Sequence, residues 1–186
     1  MVINDVGSIL KDLEKAELET QDGNVGVQVY TQLLAIYLYK NELCYAKYLW
    51  QRIPSSLKTN NPELHQVWTV GQHMWKRDWP AVHAALSVNW SEDVVEIMNA
   101  LKESTRERAM QLVSEAYSSL DISVLSGMMG LSVEQTQQAA IEKGWTIDGS
   151  MVQPRKVDRE QSTPAQEALT EDQLNKLTQF VSFLEN

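Results

Sequence analysis

Apolar residues recur at helical intervals along most of this chain. Val2, Val6, Ile9, Leu10, Leu13 and Leu18 follow that spacing, with acids and lysines between them. The pattern predicts an amphipathic helix over 2–18. Two glycines within 20–26 break it. In VQVYTQLLAIYLYKNELCYAKYLWQRIP, Val29, Leu33, Ile36 and Tyr37 mark one stripe, and Leu43, Ala46, Leu49, Trp50 and Ile53 a second. Asn41 is the turn or cap between them, and Pro54 ends the pair. Ala35 and Ala46 are small enough for close packing, so the two helices read as one antiparallel unit of a helical repeat.

A second unit follows. Pro62 suits a first helical turn. Leu64, Val67, Trp68, Gly71, Met74 and Trp75 then share one side. Pro80 begins a short partner helix in WPAVHAALS. Ser91, followed by Glu92 and Asp93, is the expected N-cap of the next helix. That helix is carried by Val94, Val95, Ile97, Met98 and Leu101. A charged stretch over 103–108 separates it from a further helix carrying Ala109, Leu112, Val113, Ala116 and Tyr117.

The pattern changes in MMGLSVEQTQQAAIEKGWTIDGSMVQP. Ile122, Val124, Leu125 and Met128 form a short helix that stops near Gly130. Ser132 and Gln135 make a capping-box pair for the next helix. Val133, Thr136 and Ala140 face inward there, with Ile141 beside them. Gly144 stops that helix, and 145–147 and 151–153 read as strands around an Asp-Gly turn. Helix, turn, helix and hairpin make the outline of a winged helix. Residues 157–168 are polar and aperiodic, which predicts a linker. The chain ends in LTEDQLNKLTQFVSFLEN. There Leu174, Leu177, Val181 and Leu184 form an a/d stripe flanked by Phe180 and Phe183.

Composition narrows the use of these elements. The 186 residues carry a net charge of −9. A protein that neutralises phosphates needs clustered Lys and Arg, so this balance disfavours nucleic acid and anionic membranes. The winged-helix stretch 121–150 has one base, Lys143, against four acids, Asp121, Glu134, Glu142 and Asp148. The outward positions of the recognition-type helix are Glu134, Gln135, Gln137, Gln138 and Glu142. Glutamine reads adenine, but no base is there to hold the phosphates. A nucleic-acid-binding winged-helix regulator is therefore the weaker reading.

Catalytic chemistry finds no foothold. His65, His73 and His83 are the three histidines and form no HxH or HExxH pattern. No Walker A loop, GxGxxG or GxSxG occurs. Cys44 is the one cysteine, which excludes an intrachain disulfide and a Cys-based zinc site. It lies in an apolar stretch and is expected to be buried filler. No enzyme activity, cofactor, metal or small-molecule substrate is expected. No apolar run reaches the roughly 18 residues of a membrane span, and the N-terminus lacks a signal-peptide core.

Helical repeats followed by a winged helix without a basic face resemble the PCI-domain family. The stretches WTVGQHMWKRDWP, RERAMQLVSEAYSSL, MVQPRK and QFVSFLEN, together with the first hairpin, resemble the subunit 8 family of the COP9 signalosome. Proteasome-lid and translation-initiation-factor-three scaffolds are the alternatives. The resemblance implies a mostly α fold: a TPR-like antiparallel helical-repeat array over 1–104, then a winged-helix subdomain (PCI domain) over 105–156. A flexible linker over 157–169 and a C-terminal bundling helix over 170–186 follow. It implies a non-catalytic subunit, cytoplasmic and nuclear, of the complex that removes a ubiquitin-like modifier from cullins and so regulates cullin–RING ubiquitin ligases. Its implied partners are the other COP9 signalosome subunits. These would be met through a winged-helix edge strand at Met151, Val152 and Gln153. The second meeting point would be the bundle helix bearing Leu174, Leu177, Phe180, Val181 and Leu184. Trp75 and Trp79, around Lys76-Arg77-Asp78, are a candidate exposed contact patch.

Overall fold

The computed structural model describes residues 6–19, 25–155 and 178. The chain divides into two compact units, Met1–Arg155 and Lys156–Asn186. In the second unit only Thr178, helical and exposed, is described. The expected linker and the Leu174–Leu184 stripe therefore lie outside the described residues.

The first unit is a helical array with a small sheet at its C-terminal end. Helices α1 (Val6–Glu19), α2 (Val27–Tyr39), α3 (Leu43–Arg52), α4 (Ser55–Asn60), α5 (Pro62–Lys76) and α6 (Trp79–Leu86) come first. The long α7 (Val95–Ala116) leads to β1 (Leu120–Asp121), α8 (Ile122–Met129), α9 (Val133–Glu142), β2 (Thr146–Asp148) and β3 (Met151–Gln153).

Helix α2 is the hub. It packs on α1, α3, α5 and α7. Leu33 through Leu38 are all buried, as expected where LLAIYL leaves no polar face. The stripe of Val29, Leu33, Ile36 and Tyr37 thus understates a helix that is covered on nearly every side. Asn41 takes a positive φ of 61° and turns the chain into α3. Asn tolerates this left-handed geometry better than most side chains. Gly71 allows α5 to approach α2: a Cβ there would sit 3.0 Å from Leu38 Cδ2. Pro62 occupies the first turn of α5. The Asp78 side chain accepts from the Ala81 amide and caps α6. Helix α1 is tied down by the Tyr37 hydroxyl donating to Glu14 at 2.7 Å. Arg52 adds a two-pronged bond to Glu17 at 3.0 and 2.9 Å.

Several expectations need correction. Leu18 is 84% exposed, whereas Leu10 is the residue that α1 buries. Cys44 is exposed rather than buried filler. It sits in the first turn of α3, whose inward positions are Ala46 and Leu49. Ser91 does not cap a helix beginning beside it. Its backbone amide and hydroxyl donate to Glu63, and regular helix starts at Val95. The two helices expected on either side of 103–108 are one continuous α7. Glu103 and Glu107 stay outside and Arg106 and Arg108 are half-buried, while Leu101, Thr105, Ala109 and Val113 keep a buried line. Leu112 is exposed on the other side. Helix α4 was not foreseen; SSLKTN buries no residue and leaves no stripe.

Two hydrophobic clusters result. The described members of the first run from Leu10 to Leu101. The second holds Met110, Val113, Leu120, Ile122, Leu125, Met129, Ala140, Trp145 and Val152. Helix α7 supplies residues to both.

Candidate interaction surfaces

The winged-helix part begins with Asp121, whose side chain accepts from the Ser123 amide and caps α8. Ser132 and Gln135 form the expected capping box of α9, each bonded to the other's backbone amide at 3.2 Å. Thr136 and Ala140 are buried, but Val133 and Ile141 are 42% and 64% exposed. One narrow, small-residue line suffices for α9 to lie close on α8, so the residues flanking it turn outward. Glu134, Gln135, Gln138 and Glu142 are exposed as expected, and Gln137 is half-buried.

The sheet changes the expected interface. Its strand order is β1-β3-β2. Met151–Gln153 is therefore the central strand, not an edge. Val152 pairs with Leu120 on one side and Ile147 on the other. The hairpin reading missed β1 because a two-residue strand leaves no periodic trace. The outer strands are β1 and β2. Along β3 the pleat buries Val152 and exposes Met151 and Gln153. On β2, Thr146 and Asp148 are exposed and Ile147 is half-buried.

The tryptophan pair is divided. Trp75 is 52% exposed, because it sits at the outer flank of α5 beyond Met74. Trp79 is half-buried where α6 begins. Trp75 stands beside a cleft between α3 and α5, and Lys47 Nζ lies 5.2 Å from its ring centroid.

A junction that the sequence did not announce joins the helical array to the winged helix. His83 of α6 is buried, and its Nε2 lies 3.0 Å from the Met128 carbonyl oxygen. A carbonyl only accepts, so Nε2 carries the proton. Arg106 of α7 donates to the Met129 carbonyl at 3.1 Å. Both contacts hold the C-terminal turn of α8, where carbonyls lack helical partners. Gly130 closes that turn with a φ of 59°.

Burial pushes His83 below its ordinary value of 6.5. The bond to Met128 opposes this, while Arg106 and Lys102 add to the depression and Glu103 resists it. A folded-state pKa below the unfolded one means that the unfolded chain binds the proton more readily. The stabilisation is complete above 6.5 and is lost as pH falls through the folded pKa. Denaturant melts between about pH 7.5 and pH 5 should show stability declining on acidification. His83→Gln, which can still donate to Met128, should flatten that slope. Identical slopes in the two proteins would remove His83 as its source.

Among the described residues, no group of three or more His, Cys, Asp or Glu converges as metal ligands do. No helix among them is long and apolar enough to cross a membrane. What the surface offers is short strand edges, an acidic helix face and an apolar cleft.

Helical hairpins leading through one long helix into a small winged-helix part define a PCI-type, scaffold class of domain. The chain belongs to the CSN8/PSMD8/EIF3K family, whose model matches residues 24–165. It is 43% identical over 176 residues to COP9 signalosome complex subunit 8 of Xenopus laevis, covering 93% of this chain and 89% of that one. The same-named protein of Danio rerio is 41% identical over 181 residues, 96% of this chain and 93% of that one. That of Drosophila melanogaster is 34% identical over 188 residues, spanning both chains in full. The likeness sides with the signalosome branch of the family, and the proteasome-lid and initiation-factor alternatives are not favoured.

Proposed function

We propose that this chain is a non-catalytic scaffold subunit of a COP9 signalosome, the complex that removes the ubiquitin-like modifier from cullins. The observation that carries the reading is the end-to-end match to relatives named subunit 8 of that complex. The division of labour within the chain supports it. Residues 1–104 form a helical-repeat lobe and 105–156 a winged-helix lobe, with α7 running through both. Residues 157–169 link them to a bundling helix over 170–186. The protein works in cytoplasm and nucleus, without a cofactor and without nucleic acid.

Neighbouring subunits are met at two places. One is the rim of the small sheet. Because β3 is internal, the open backbone groups belong to the outer strands β1 and β2, and the longer of them, β2 at Thr146–Asp148, suits strand addition by a partner. Met151 and Gln153, exposed beside it, contribute side chains to the same contact. The other is the stripe of Leu174, Leu177, Phe180, Val181 and Leu184, spaced as in a helix bundle.

Affinity purification of the tagged full chain from cells tests this. The other signalosome subunits should co-purify, and Leu177→Asp with Val181→Asp should abolish their recovery while leaving the helical content unchanged. Recovery of proteasome-lid or initiation-factor chains instead would overturn the assignment. The acidic α9 face also predicts no retention on duplex DNA at about 0.15 M salt. Tight, salt-sensitive binding there would restore the nucleic-acid reading.

A further inference from the structure

The cleft between α3 and α5 has a built chemistry that the scaffold role leaves unused. Its volume is about 230 Å³. Leu38, Ala46 and Gly71 line it and are buried. The floor is sunk because Gly71 has no side chain, and any Cβ there would press on Leu38. Trp68 lines one wall and is held by stacking on Trp50, with ring centroids 5.0 Å apart and planes 8° apart. The indole of Trp75 stands at the rim.

Charge is one-sided there. Lys47 and Lys76 line the cleft, and no Asp or Glu does. Lys47 has the Trp75 ring beside its amine. Glu42, next to Leu43 of the lining, is drawn to Lys40 at 2.8 Å. The carbonyl end of α5 would disfavour an anion. However, the Arg77 and Asp78 amides bond to the Met74 and His73 carbonyls, and Lys76 lies in the same turn. In a chain of net charge −9, this is a local cationic rim over an apolar pit.

We propose that this cleft is a docking site for an acidic peptide segment of a partner protein: one bulky apolar side chain flanked by carboxylates. The pit is smaller than the roughly 300–1,000 Å³ of cofactor and drug-sized sites, which fits a single anchoring side chain. A buried apolar anchor supplies affinity. The two lysines select for flanking acids and against bases. Two lysines in a chain of net charge −9 are too few to release many counterions from a nucleic acid strand. The lining shares no residue with the sheet rim or with the Leu174–Leu184 stripe, so its test stands apart from theirs.

A phage-displayed library of random twelve-residue peptides, selected on the intact chain, is the probe. Selected sequences should carry Leu, Ile, Phe or Trp next to Asp or Glu. Amide resonances of Leu43, Ala46, Gly71 and Lys76 should shift on titration with a synthetic copy. Lys47→Glu with Lys76→Glu should weaken binding about tenfold or more, as should raised salt. Trp75→Ala should weaken it as well, with melting temperatures unchanged in both variants. Enrichment of basic sequences, shifts confined elsewhere, or affinity unaltered in the double variant would overturn the proposal. So would absence of any enriched sequence, or displacement of the peptide by single-stranded DNA.

Discussion

Gly130→Ala should destabilise the protein by about 2–5 kcal/mol, the sum of a left-handed backbone penalty and an overpacked contact. Gly130 has a φ of 59°, and a Cβ there would lie 2.4 Å from His83 Cγ and 2.5 Å from His83 Cβ. Those atoms are near the root of the side chain, so rotating the imidazole does not clear them. His83 is also buried and held at Met128. In a body of this size the loss corresponds to roughly 5–15 °C in melting temperature. Gly127→Ala is the matched control. Its new Cβ would meet only Pro80 Cγ at 3.9 Å, and in the interior of α8 Ala should stabilise by up to about 1 kcal/mol. If His83 is the obstacle, His83→Gly, which removes both Cβ and Cγ, combined with Gly130→Ala should cost less than the two changes added. A Gly130→Ala protein melting within about 2 °C of the parent would show that the junction yields.

Val152→Asp should collapse the winged-helix part while its neighbours in sequence tolerate the same change. Val152 is fully buried in the centre of β3, between Leu120 and Ile147. The substitution forfeits about 1.5–3 kcal/mol of apolar burial and places a carboxylate among Met110, Leu125 and Ala140 of the second cluster. An unpaired buried charge adds several kcal/mol more unless the group takes up a proton. Gln153→Asp changes an exposed position and should stay within about 1 kcal/mol of the parent; Met151→Asp, also exposed but opposite Asp121 and Asp148, should cost at most about 2 kcal/mol. Hydrogen exchange reads the difference locally. Amides in α8, β2 and β3 should lose protection, whereas those in α2 and α5 keep theirs. Equal tolerance at all three positions would mean that β3 is peripheral after all.

Where the sequence was informative, a single periodicity had one solution. Helices α2, α3, α5 and α9 present lines of apolar or small residues broken by Asn41, Pro54 and Gly144, and each helix appears where those signals put it. The hairpin of β2 and β3 was legible for the same reason. What stayed hidden depended on partners distant in the chain. Leu120–Asp121 becomes a strand only because β3 pairs with it 30 residues later. Ser91 prefers Glu63 to its own helix because the start of α5 comes within reach. The continuity of α7 through 103–108 depends on Thr105, a polar residue buried at the seam, which no apolar pattern marks. His83 and Arg106 gave no motif, since what they bind is backbone carbonyl. The exposure of Trp75 was legible; that Lys47 would stand over its ring was not.

Helix α7 has a further consequence for how the protein is made. At about 1.5 Å per residue its 22 residues reach roughly 33 Å. The described part of the first core is complete in sequence by Leu101, before any residue of the sheet has been synthesised. Domains tend to settle from the N-terminus as the chain emerges from the ribosome. In that order the early half of α7 would be anchored to α2 before Met110 and Val113 of its later half are covered. Met110 and Val113 would then be the surface on which β1, α8, α9 and the hairpin condense. The second lobe is thereby built onto a finished surface rather than searching for its own.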